Sequence, residues 1–542
     1  MILKMLVLFF MSCLIFPSHG NCDWAETALS KMSLEEKIGQ LFIIPACPAR
    51  GEEHLEDVKK TLHKYHVGGI IVKHAKAKEQ VNFLNRLQEI STAPLLIAAD
   101  AEWGLGMRME DAISFPKNLT LGAIVDDNLI YLLGKEIGRQ CKKVGIHLNL
   151  APVVDVNTNP RNPIIHMRSF GDDPYLVSRK GIQLMKGMQS AGVLACAKHF
   201  PGHGDVSVDS HEGLPILDHS IKRLENVELI PFKTLAKEGI SAIMSGHLFV
   251  PVYDRQFPSS LSYYMITKFL KEEWGYKGLL ITDALNMKAL SGIYASEDIA
   301  LYAFLAGHDL LLYGDHMNPE VDMILHELIP KGVEALKKGY MEGLISLDRL
   351  NESVLKILQN KQGLQLHENR IVPELVLGEL HLPAIYKFKR DLFRSAITLY
   401  SDEEGILPLS IKKNRIAYVQ IGAASRDSFY TLLKHKQDVS IFSFEGEESL
   451  IDKLKDFDVV IVGLYGAPSN GLPNGVTTLL ETLNGKNIKT IVSLFGTPYA
   501  VSHLPKRGVI IVGYEPEIAS EEAISEIIFG EFQAKGKLPI SS

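Results

Sequence analysis

The sequence predicts a (β/α)8 TIM barrel followed by a smaller, open doubly wound α/β domain. Between about residues 38 and 315, eight short runs of Val, Ile and Leu alternate with longer amphipathic stretches. Runs that are apolar along their whole length suit parallel strands covered on both faces. Five of them end in a carboxylate or an imidazole, and the carboxyl ends of barrel strands are where such a fold collects its chemistry. Beyond residue 391, four more apolar runs recur at a spacing that leaves room for helices, as in an open parallel sheet.

Taken in order, the chain opens with an apolar run from Met5 to Phe16 behind Lys4, closed by Pro17-Ser18-His19-Gly20 with small residues three and one before Asn21. That pattern predicts an export signal over residues 1–20 and a periplasmic or extracellular mature protein. Cys13, after Phe10-Met11-Ser12, offers a lipid-anchor reading, but these residues match the usual small-residue box poorly. The run is too short to span a bilayer and no later stretch gathers about twenty apolar residues, so no membrane span is predicted.

The barrel is assigned to residues 21–365. Its strands are expected at Leu41 to Pro45, Gly69 to Val72, Leu95 to Asp100, Ile146 to Asp155, Val193 to His199, Ala242 to His247, Gly278 to Asp283 and Asp309 to Leu312. Asp100, Asp155, His199, His247 and Asp283 then share one rim. Residues 366–390 read as a linker, and 391–542 as the second domain, with strands at Ile416 to Ile421, Val459 to Gly463, Ile491 to Phe495 and Val509 to Gly513. No GxGxxG follows any of these, so no nucleotide cofactor is expected.

Composition narrows the function classes. With 542 residues, 46% of them hydrophobic, the chain can bury two or three cores. A formal charge of -7 without any long Lys/Arg run argues against a nucleic-acid partner and suits a neutral small-molecule substrate. The five cysteines include no CxxC, and Cys141 and Cys196 fall in helical and strand patterns where buried thiols are expected.

The richest segment runs from Lys198-His199-Phe200-Pro201-Gly202-His203-Gly204-Asp205 to Asp209-Ser210-His211. It closes a strand and continues as a Gly- and Pro-punctuated loop bearing imidazoles and carboxylates. Singly, each has an ordinary explanation, such as Asp209 capping a turn. Together they admit two chemical readings. Imidazole and carboxylate could hold a divalent metal, but the spacing matches no compact helical pair, and Lys198 would sit beside the cation. Alternatively His211 protonates a leaving oxygen while Asp209, two residues back, fixes its tautomer.

These residues resemble the signature loop of bacterial β-N-acetylglucosaminidases in glycoside hydrolase family 3. Asp100-Ala101-Glu102-Trp103-Gly104 through Arg108 resembles that family's DxEGG…R segment, Arg168 to Pro174 resembles RSFGxDP, and Leu280-Ile281-Thr282-Asp283 resembles the strand carrying its nucleophile. More loosely, Leu392 to Leu399 and Gly536-Lys537-Leu538-Pro539 look like the bounds of the family's second domain. The resemblance implies that Asp283 attacks the anomeric carbon, that His211 with Asp209 handles the proton, and that Asp100, Arg108, Arg168, Lys198 and His199 bind sugar hydroxyls. It implies a retaining reaction, with His replacing the usual second carboxylate and about 5 Å between the two groups. Neither metal nor cofactor is implied.

The chain departs from the pattern at Trp103, where the family has Gly. The indole either fills space along a changed loop path or stacks on a sugar face, and Arg108 is the residue whose placement depends on it. The implied substrate is terminal β-linked N-acetylglucosamine, naturally on cell-wall fragments. Alternatives are a β-glucosidase-type or phosphorolytic member of the family, a metal-dependent hydrolase, and a silent sugar-binding protein, which would be expected to have lost Asp283 or His211.

Overall fold

The computed structural model describes residues 24–314, 320–410, 414–422, 428–444 and 447–541. The predicted export segment and Cys13 lie outside them. Among the described residues no helix is long and apolar enough to cross a membrane.

The first eight strands are β1 (Phe42–Ala46), β2 (Gly69–Val72), β3 (Leu96–Ala99), β4 (Leu148–Asn149), β5 (Leu194–Phe200), β6 (Ala242–Ser245), β7 (Leu279–Thr282) and β8 (Leu311–Leu312). They form one parallel sheet in the order β7-β6-β5-β4-β3-β2-β1-β8. A parallel bridge between Ile281 and Leu310 brings its two edges together, so the sheet curls into the expected barrel. Nearly all strand residues are buried, which is why each read as an unbroken aliphatic run. The fourth run is the exception. Only Leu148 and Asn149 form a strand, and the chain rejoins the sheet at Val153, bridged to Lys198.

Helices cover the outside, and local sequence sets their ends. The helix Asp127–Lys143 starts at Asp126, whose side chain accepts from the Asn128 N–H. The helix Pro174–Ser190 starts at Asp173, which accepts from the Tyr175 N–H, with Pro174 in the first turn where its missing N–H costs nothing. These two helices approach closely at Gly134 and Gly187, where a Cβ would stand 2.2 Å from the Leu184 and Tyr131 carbonyl oxygens. Cys141 and Cys196 are buried free thiols, as expected.

After the helix Pro383–Ala396 comes a mixed six-stranded sheet. Its strands are β9 (Thr398–Asp402), β10 (Ile416–Ile421), β11 (Val439–Ser443), β12 (Val459–Tyr465), β13 (Lys489–Phe495) and β14 (Val509–Val512), in the order β11-β10-β12-β13-β14-β9. All pairs are parallel except β14 with β9. Four strands match the sequence expectation, and β9 and β11 extend the sheet at its two edges.

Candidate active site

A cavity of about 250 Å³ opens at the carboxyl ends of the barrel strands. It is lined by Asp100, Arg108, Arg168, Lys198, His199, His211 and Asp283, seven of the eight residues singled out from the sequence. The eighth, Asp209, reaches it through His211. A larger cavity, of about 890 Å³, lies at the amino end of β4 beside residues 364–388 and touches none of these side chains. The small one holds the convergent titratable groups, which is the physical mark of a site.

Its floor is a chain of alternating charges. Arg108 Nη2 donates to Asp100 Oδ2 at 2.7 Å, and Lys198 Nζ donates to Asp100 Oδ1 at 2.8 Å. Lys198 also lies 2.9 Å from Glu102 Oε1, and Glu102 takes Arg168 in a two-pronged contact at 2.7 and 3.0 Å. Burial alone would raise the pKa of both carboxyls. Lys198 and Arg108 hold Asp100 well below the usual range, while Arg168 and Lys198 hold Glu102 at about 2. The two carboxylates therefore stay ionised and fix three cations at the cavity wall.

Lys198 and His199 are consecutive, yet both line the cavity. The register of β5 against β6 shifts between Ala197 and Phe200, so the strand is irregular where these two residues stand. His199 Nδ1 lies 2.8 Å from Asp155 Oδ2, and Asp155 Oδ1 accepts from the backbone N–H groups of His199 and His203. With Asp155 accepting a hydrogen bond from Nδ1–H, His199 Nε2 faces Arg168 Nη2 at 3.5 Å.

The Asp209–His211 pair sits on the loop after β5. His211 Nδ1 lies 2.7 Å from Asp209 Oδ1, which also accepts from the His211 N–H at 2.9 Å. Partial burial works against ionisation of Asp209, but hydrogen bonds from the His211 backbone and ring keep its carboxyl below the ordinary value. The neighbouring Ser210 hydroxyl is 3.2 Å from His203 Nε2, and the Ser210 carbonyl accepts from the Ala289 N–H, so both sides of the loop tip are anchored. Burial pushes His203 down to about 4 and keeps it neutral.

Asp283 follows β7. Its N–H donates to the Ser245 carbonyl at 2.9 Å, and its Oδ1 accepts from the Ala284 N–H at 2.8 Å. Beneath this turn His247 is fully buried, with Nε2 2.9 Å from the Ala284 carbonyl and Nδ1 2.7 Å from the Ser260 hydroxyl.

Trp103 lines the cavity beside these groups, with the Lys117 ammonium 5.5 Å from its ring centre. Gly104, next to it, has φ +88°, and a Cβ there would meet Phe115 at 2.8 Å. The altered loop still delivers Arg108 to Asp100. Sequence reasoning left Glu102, Asp155, His203 and His247 without roles. Asp155 and His247 carried a signal as strand-end polar residues, and Glu102 and His203 stood inside the motifs themselves.

Asp205, His219 and Glu228 gather close enough to hold a metal ion. However, Arg223 already donates to Glu228 at 3.0 and 3.1 Å, and His219 Nε2 lies 2.6 Å from Asp205, so the carboxylates are committed to organic partners.

A barrel whose strand ends unite a carboxylate, an imidazole dyad and a sugar-sized cavity walled by charges has the layout of a glycoside hydrolase. The family model described as "Glycosyl hydrolase family 3 N terminal domain" matches residues 33–359. The chain belongs to glycoside hydrolase family 3. It is 27% identical over 549 aligned residues to a protein named beta-hexosaminidase A from Pseudoalteromonas piscicida, spanning 90% of this chain and 91% of that one. Among solved structures, a family 3 beta-N-acetylglucosaminidase from Paenibacillus sp. str. FPU-7 superimposes with TM-score 0.76 and 29% identity, covering 94% of this chain and 99% of that one. A beta-glucoside phosphorylase, BglX, bound to 2FGlc superimposes with TM-score 0.81 and 26% identity, covering 96% of each chain.

Proposed function

We propose that the protein is a retaining exo-glycosidase that removes terminal β-linked N-acetylglucosamine, with Asp283 as nucleophile and the His211/Asp209 dyad as acid/base. The observation that carries this reading is that Asp283 and the dyad-bearing His211 line one cavity whose wall presents fixed cations and carboxylates. In the first displacement the Asp283 carboxylate attacks the anomeric carbon, the bond to the aglycone oxygen breaks, and protonated His211 gives that oxygen its proton. Nδ1 is engaged by Asp209, so the transfer falls to Nε2. In the second, neutral His211 takes a proton from water, the water oxygen attacks the same carbon, and the ester to Asp283 breaks. Two inversions return the β-configured sugar.

Asp100, Arg108, Arg168, Lys198 and His199 bind the sugar hydroxyls in this reading. The names of the Pseudoalteromonas and Paenibacillus relatives support the acetylated sugar. Wall fragments are the natural source proposed, and an export signal over residues 1–20 would bring the enzyme to them. Mass analysis of the N-terminus of protein recovered from fractionated cells tests that location, and an intact Met1 in the cytoplasmic fraction would refute it.

The test of activity is hydrolysis of a nitrophenyl N-acetyl-β-glucosaminide against the matching β-glucoside, with chelator present. Faster release from the acetylated sugar supports the reading, faster release from the glucoside refutes the substrate, and loss of activity to chelator refutes the metal-free mechanism. A second reading, phosphorolysis, is favoured by the likeness to the phosphorylase. Added inorganic phosphate would then yield a sugar 1-phosphate in place of free sugar.

A further inference from the structure

We propose that the second domain acts as a positioning element for Arg168, through Tyr499, although among the described residues it places no side chain of its own in the catalytic cavity. The inference rests on the reading of that cavity as a sugar site. Tyr499 follows β13 and belongs to the short turn Pro498–His503. Its hydroxyl donates to the Asn157 carbonyl at 3.1 Å and accepts from Asn157 Nδ2 at 2.7 Å. Burial pushes this phenol up to about 12, so it remains a neutral donor and acceptor at any working pH.

Asn157, fully buried in the barrel loop after β4, passes the constraint on. Its Oδ1 accepts from the His166 N–H at 3.1 Å, and its own N–H donates to the Gly171 carbonyl at 3.0 Å. His166 lies against Tyr499, ring centres 5.7 Å apart, and holds a left-handed backbone with φ 34°, a conformation that a non-glycine residue keeps only when its surroundings enforce it. His166 opens the one-turn 3-10 segment that ends at Arg168. Met167, between them, packs on the small apolar cluster of Leu119, Tyr499 and Ile540.

A second contact from the same domain acts on Arg168 through a barrel helix. Glu515, after β14, accepts from the Lys117 N–H at 2.8 Å and the Thr120 hydroxyl at 2.5 Å. That fixes the short helix Asn118–Gly122, whose Asn118 Nδ2 donates to the Arg168 carbonyl at 2.7 Å. Arg168 is thus held at its carbonyl by Asn118, whose helix Glu515 fixes, and at its guanidinium by Glu102. A guanidinium that binds two or more oxygens is sensitive to sub-ångström placement, so the cost of loosening the backbone falls on sugar binding.

The experiment is a double-mutant cycle on full-length protein with Tyr499→Phe and Arg168→Lys, read as kcat and KM on the nitrophenyl glycoside that the wild type cleaves better. Tyr499→Phe keeps the ring and removes only the hydroxyl. The change removes both hydrogen bonds to Asn157, each of which converts to about a 3- to 10-fold change, and KM is expected to rise by at least about 3-fold with kcat within about twofold. In the Arg168→Lys background the same change should add less than about 1.5-fold, because its effect acts through Arg168. Unchanged KM in Tyr499→Phe, or effects that multiply in full, would overturn the proposal, and a lowered melting temperature with unchanged KM marks a purely structural contact. If the wild type cleaves neither glycoside, the sugar-site reading fails separately, and hydrogen exchange over residues 157–169 decides. Faster exchange in Tyr499→Phe supports positioning and unchanged exchange refutes it.

Discussion

The barrel and the second domain share a wiring of parallel strands joined by helices, yet their strand ends differ in kind. In the barrel β3 and β7 give way to Asp100 and Asp283, and β5 carries Lys198 and His199 near its end. In the second sheet β10, β12, β13 and β14 give way to Gly422, Gly466, Gly496 and Gly513. Open α/β sheets ordinarily receive a ligand outside their carboxyl ends. Here the loops after β13 and β14 send Tyr499 and Glu515 into the barrel instead, so that edge is occupied by the neighbouring domain. Wiring fixes where a site can form, and the side chains at the strand ends decide whether chemistry or docking fills the place.

The largest effects should come from the barrel rim. Asp283→Ala is expected to lower kcat/KM by at least about 10³-fold while leaving the melting temperature near that of the wild type. A residual rate within tenfold of wild type would remove Asp283 from the nucleophile's role. His211→Ala should cost about 10²- to 10⁴-fold on glycosides with alkyl aglycones, which need a proton, and far less on nitrophenyl glycosides, which leave without one. Equal losses on both substrate types would count against His211 as proton donor and would erase the distinction between the rim's chemistry and its binding.

The contrast also explains what the sequence disclosed. Seven barrel strands and the four central strands of the second sheet are buried on both faces, so they appear as aliphatic runs. β9 and β11 lie at sheet edges with mostly exposed or half-exposed residues, and such strands carry no continuous apolar run to find. The short β4 belongs to a run that is buried without being regular, a difference that hydropathy does not register. At the site, residues held by local motif were legible, since Asp209 and His211 are two apart and Lys198 adjoins His199. Glu102 and Asp155 act through partners 66 and 44 positions away, and Tyr499 through one 342 away, and no spacing rule encodes such pairs.

Two buried glutamates, one from each region, turn the comparison into a measurement of sign. Glu102 is held at about 2 by Arg168 and Lys198 despite its burial, so its contribution to stability is present above the unfolded value near 4.5 and is lost as pH falls toward 2. Glu102→Gln leaves Arg168 without its counter-charge and Lys198 with Asp100 alone, and should cost about 3–5 kcal/mol near neutral pH by chemical denaturation. That gap from wild type should narrow as the solution is acidified from about 4.5 to about 2. Glu515 has no comparable cation pairing, and burial raises its pKa against the hydrogen bonds from Thr120 and the Lys117 N–H. Its contribution is therefore present below about 4.5 and is lost as pH rises through the raised value. Glu515→Gln keeps an oxygen for both donors and removes the ionisation, so the change should stay within about 1 kcal/mol, with the variant gaining on the wild type as pH rises. If both gaps moved in the same direction with pH, the difference between a rim built on charge pairs and a junction built on hydrogen bonds to a buried carboxyl would not hold.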